Sequence, residues 1–63
     1  MGRYFYIEDN DIVANVSYSN VLDDYSIGFQ IGKIYTILQD KFKSEREAIF
    51  YLLSNFEEVR EMK

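Results

Sequence analysis

Residues 25–42, YSIGFQIGKIYTILQDKF, decide how this chain is read. Ile27, Ile31, Ile34, Tyr35, Leu38 and Phe42 recur at three- and four-residue steps, the spacing that lines side chains along one side of an α-helix. The pattern predicts a helix over the stretch, its stripe turned to a core. Tyr25 and Phe29 then fall on the opposite side, where a domain of this size has little left to cover them. Gly28 and Gly32 share a face of that helix, and a missing Cβ there admits another backbone at a cost of roughly 1 kcal/mol per glycine relative to alanine. Their spacing fits either a dimer seam or close packing inside one subunit.

Working outward, residues 4–7 and 12–18 are rich in aromatic and β-branched side chains, with the polar run Glu8-Asp9-Asn10-Asp11 between them, so they read as a β-hairpin. In its second strand Ile12, Ala14, Val16 and Tyr18 alternate with Val13, Asn15 and Ser17, which assigns the first set to the buried face. In the first strand Tyr4 and Tyr6 take one side, Phe5 and Ile7 the other, and both are apolar. Two strands alone leave bare edges and a marginal sheet, and the expected remedy is a second copy that completes four strands across a twofold axis, the alternative being that both helices lie over one face of the hairpin and the chain stays monomeric.

On the other side, Lys41 and Lys43 suit a helix C-terminus. Ser44-Glu45-Arg46-Glu47 is a capping box, in which the serine oxygen accepts the N–H of Glu47 and that glutamate reaches back to the N–H of Ser44. A second helix follows over 45–61, with Ile49, Leu52, Phe56 and Val59 in a stripe widened by Ala48 and Leu53. The short connection makes the two helices antiparallel. The predicted fold is therefore a single α+β domain, 1–63, with an N-terminal β-hairpin packed on an antiparallel two-helix hairpin (ββαα) and the sheet completed by dimerisation.

Composition narrows the chemistry. Sixty-three residues approach the size at which one core only just offsets chain entropy. With neither cysteine nor histidine, the chain has no disulfides, thiol catalysis, imidazole acid–base chemistry or Cys/His metal site. A net charge of −4, from eleven acids and seven bases, disfavours a nucleic-acid partner. No apolar run is long enough for a membrane span and the N-terminus lacks signal-peptide features, so the chain reads as cytosolic with no membrane association. Its residue usage is that of an AT-rich genome.

Neither a cofactor nor a catalytic site is expected. Glu8-Asp9-Asn10-Asp11 lacks the alternate ligands, bend glycine and distal glutamate of a calcium loop. The acid pairs Asp23/Asp24 and Glu57/Glu58 have no accompanying nucleophile or base. Six tyrosines and five phenylalanines exceed what a small core absorbs, and tyrosine gives large amphipathic contact area at low entropy cost. Tyr25, Phe29 and Tyr51, with the acids Glu47, Glu58 and Glu61 on the outer side of the second helix, are the expected partner-binding residues. Tyr4, Tyr6, Gly28 and Gly32 are the expected homodimer interface. These features suggest a non-catalytic protein-binding regulator or inhibitor from a phage or mobile element that occludes a host nucleic-acid-handling protein, in the manner of an anti-CRISPR protein. The acidic helix face reads either as an ordinary solvated face or, as a sharper alternative, as a mimic of nucleic-acid charge. The alternatives are a small dimeric DNA-binding regulator of transcription or plasmid maintenance, and a structural assembly subunit. A DNA-reading helix starting at Ser44 would present Glu45, Glu47 and Tyr51 where Lys and Arg are wanted.

Overall fold

Residues 25–37 form two strands of a β-hairpin and not a helix. The computed structural model describes residues 2–62, and of Asp9 the backbone alone. Strand β1 is Gly2–Ile7, β2 Ile12–Ser19, β3 Asp24–Ile31 and β4 Ile34–Ile37; helix α1 is Glu45–Asn55 and strand β5 Val59–Glu61. Tyr25, Ile27, Phe29 and Ile31 also alternate with Ser26, Gly28 and Gln30, a strand period that shares Ile27 and Ile31 with the helical stripe. Gly32 breaks the tie. Ile31 pairs with Ile34 across a two-residue turn, and Gly32, at φ +62°, takes the left-handed backbone that the first position of a type II′ turn needs.

The five strands form one antiparallel sheet in the order β4-β3-β2-β1-β5. The first four follow one another as a meander. The chain then crosses one face as α1 and returns to pair β5 with β1. The sheet is thus completed by its own chain, which corrects both the two-helix hairpin and the four-stranded dimer sheet. Beyond β4 the chain stays beside β3, since the Leu38 N–H donates to the Ile27 carbonyl and Tyr25 and Phe42 exchange backbone bonds of 2.8 and 2.9 Å. Gln39, Asp40 and Lys41 therefore stand opposite the single Ser26 and bulge out.

The second predicted helix starts where expected and ends early. The Ser44 hydroxyl accepts the Glu47 N–H at 3.2 Å, but the Glu47 carboxylate reaches the N–H of Lys43, at 3.4 Å, in place of that of Ser44. The helix stops at Asn55, and Phe56 is extended. Two carboxylates at Glu57 and Glu58 are unfavourable at the negative end of a helix dipole, and the open edge of β1 offers Val59 a strand partner.

Phe5, Ile7, Ile12, Ala14, Val16 and Ile27 point from the sheet toward α1, which sets Ala48 and Leu52 against them. This resolves β1: Phe5 and Ile7 are inside, Tyr4 and Tyr6 outside. Tyr18, expected in the buried set, is exposed at the end of β2, where its ring meets Tyr25 at 5.1 Å.

Candidate functional site

The helix covers one face of the sheet, and the other face is open. Strand alternation and register place its residues without ambiguity. One row across the strands runs Tyr4, Asn15, Gly28, Ile37, and the next runs Arg60, Tyr6, Val13, Gln30, Tyr35. The Met62 N–H bonds to the Tyr4 carbonyl and continues the first row past β5. Tyr4, Tyr35, Ile37 and Met62 are each about half exposed, at 53%, 56%, 55% and 47%. The result is an amphipathic surface of tyrosines and aliphatic groups.

Local chemistry holds this face in shape. Gly28 is buried because Tyr35 leans across the strand and lays its ring over it, so a Cβ there would run into the phenol. An aromatic neighbour thus supplies the packing that glycine lacks in a strand. At the ends of the sheet two loops repeat one device. In residues 8–11 the last residue, Asp11, has φ 53° and its carboxylate accepts the Tyr6 hydroxyl at 2.8 Å. In residues 20–23 the last residue, Asp23, has φ 55° and accepts the Tyr18 hydroxyl at 2.7 Å. Aspartate is one of the few residues that tolerates the left-handed region, and here its side chain also ties the loop to the preceding strand. The hydrogen bond to Asp11 is the main cause that pushes the Tyr6 phenol above its ordinary 10.0, and the bond to Asp23 does the same for Tyr18.

Charge gathers at the β5 side. Arg3 grips Glu61 with two nitrogens and reaches Glu45 of α1 at 3.0 Å. These carboxylates, Glu61 first, hold the guanidinium even more firmly protonated than usual. Arg60, over the ring of Tyr6, pairs with Glu8 at 2.8 Å.

The sequence-predicted binding residues do not converge. Tyr25 and Phe29 lie on the helix side of β3, half-buried, with Phe29 against Phe56 and Tyr25 packed on the core. Tyr51 is half-buried against Phe42. Glu47 caps α1, Glu58 lies in the turn before β5, and Glu61 is held by Arg3, so the three acids do not share a helix face. The proposed charge-mimicking face depended on a helix that ends at Asn55. Of the expected dimer residues, Tyr4, Tyr6 and Gly28 share the open face, while Gly32 is a turn residue with open space where a Cβ would be. The glycine seam falls with the helix that would have carried it. Sequence reasoning missed Val13, Tyr35, Ile37 and Met62. The Gly-Lys dipeptide between two runs of β-formers was the signal that would have found Tyr35 and Ile37.

A second apolar feature is a cleft of about 540 Å³ on the outer side of α1, between Phe42, Phe50 and Tyr51 and rimmed by Arg46 and Glu47. Among the described residues, no group of three or more acidic side chains is placed to hold a metal ion, and no helix is long and apolar enough to cross a membrane. Comparison with protein-family models, curated proteins and solved structures finds no match to this chain.

Proposed function

We propose that this domain is a non-catalytic binding module that docks the open face of its sheet on a partner protein. The observation that carries the reading is the joining of Tyr4, Tyr35, Ile37 and Met62 into one exposed, partly apolar surface on the side away from the helix. Such a surface suits a protein partner: tyrosines provide contact area and hydrogen-bonding tips together, as in interface cores. Nucleic acid fits less well, because stacking platforms work with a positive groove that tracks the backbone. Here the chain carries a net charge of −4, and Arg60, a cation on this face, is engaged by Glu8. A regulator or inhibitor that acts by occlusion needs no more chemistry than this.

The test is site-specific photo-crosslinking in cells that make the protein, with the reactive amino acid at position 4 or, on the helix side, at position 50. The reading expects a protein adduct from position 4, none from position 50, and loss of binding to the identified protein when Tyr4→Asp is introduced. An adduct that nuclease removes, or one confined to position 50, would refute it.

A further inference from the structure

The β4 edge of the sheet is short and ends in the bulge over 39–41, but the run before that bulge lacks the chemical guards against pairing. Between Ile34 and Leu38 it carries no charge and no proline, and among the described residues neither a helix nor another strand lies outside it. The Leu38 N–H points to Ile27. Because antiparallel ladders alternate, Thr36 and Ile34 also face β3, while Tyr35 and Ile37 direct their N–H and C=O groups off the edge.

We infer that this edge pairs with the same edge of a second copy, antiparallel about a twofold axis at Thr36, joining two five-stranded sheets into one. The inference goes beyond partner docking and does not depend on it, since it uses the main-chain groups of β4 and not the open face. Three observations select a second copy over an unrelated strand.

The first is register. The free run is closed at one end by the Gly32-Lys33 turn and at the other by the bulge over 39–41, so its centre is Thr36. Pairing it with itself sets Tyr35 opposite Ile37 on both sides of the axis, outward amides against outward amides. The second is shape. That register brings Ile34, 68% exposed and the most exposed apolar side chain of β4, to Leu38 of the other copy on the helix side of the sheet. Beside Leu38 lies a hollow of about 390 Å³ lined by Phe29, Thr36, Ile37, Leu38, Gln39 and Asp40. Each copy thus offers a projection and a recess that the twofold axis matches. The third is charge. Lys33 of each copy arrives at the Gln39-Asp40 end of the other, cation to anion, twice.

The test is sedimentation over a range of concentrations, with amide hydrogen exchange on the same samples. Wild type should double in mass as concentration rises, with Tyr35 and Ile37 amides gaining protection in step. Thr36→Lys and Thr36→Glu each place like charges on the axis and should weaken the dimer about tenfold. An equimolar mixture of the two variants should restore it, a result that a dimer built elsewhere cannot produce. Ile37→Pro removes an outward N–H at no cost to the β3 ladder and should also give a folded monomer. A monomer at millimolar concentration would overturn the inference. So would a dimer that survives both Thr36 variants, or exchange protection that rises elsewhere and leaves Tyr35 and Ile37 unchanged.

Discussion

At the β5 edge two of the three residues are held by charge: Arg60 by Glu8, in the turn that follows β1, and Glu61 by Arg3 of β1, which also holds the helix through Glu45. At the β4 edge four residues, Ile34–Ile37, lie beside β3 without a charged side chain among them. The contrast separates two jobs of an outer strand. The β5 edge is short and charged, which discourages further pairing. The β4 edge keeps the features that invite it. Ion pairs as exposed as those of Arg3 contribute modestly to stability, so their larger effect is to specify which strand ends the sheet and where. In a 63-residue chain the last strand pairs with the first, and the pairing of Phe5 with Glu61 needs such a marker.

The largest effect should come from the helix, which packs on the central strands β2 and β3 between the two edges. Leu52 is fully buried between helix and sheet, and Leu52→Ala should destabilise the domain by about 2–5 kcal/mol in chemical denaturation. Exchange at β4 and β5 should then accelerate together. If one edge alone responds, the helix does not serve as their common support.

Arg3→Ala should have a smaller and one-sided effect, because the pairs it breaks are partly exposed. Amides of β5 should exchange faster while those of β3 and β4 do not, and high salt should reproduce part of the change in wild type. Equal acceleration at both edges would remove the distinction drawn here.

The smallest effect tests what the two halves of the sheet have in common. Tyr6 and Tyr18 both donate to a loop aspartate, and both phenols are pushed above 10.0. A folded value above the unfolded one favours the neutral phenol in the native state. The contribution is therefore fully present below pH 10 and is lost as pH rises through the raised value. A phenolate absorbance titration should show two late-titrating tyrosines, and Tyr6→Phe and Tyr18→Phe should each remove one. Since the device is the same in both halves, any difference between the edges at alkaline pH must come from the edges themselves.

Part of this design is readable residue by residue. The capping serine at 44, the alternation of Ile12, Ala14 and Val16, and the polar break over 8–11 are local signals, and each is found where it was expected. The candidate surface was only partly legible. Tyr4 and Tyr6 were singled out, but β1 is apolar on both sides and only the position of α1 decides that they face outward. Tyr25 and Phe29 were placed outside because a helix would have left them there. As alternate residues of β3 they turn toward α1.

Charge, the absence of cysteine and histidine, and the helix start at Ser44 were determined by the amino-acid sequence alone, because they depend on residue identity or on neighbours within four positions. The state of residues 25–37 and of 59–61 was decided by tertiary structure. Ile27 and Ile31 satisfy a helical and a strand period equally, and a strand is stable only with a hydrogen-bonding neighbour alongside. For β3 that neighbour is β2, and for β5 it is β1, more than fifty residues earlier in the chain.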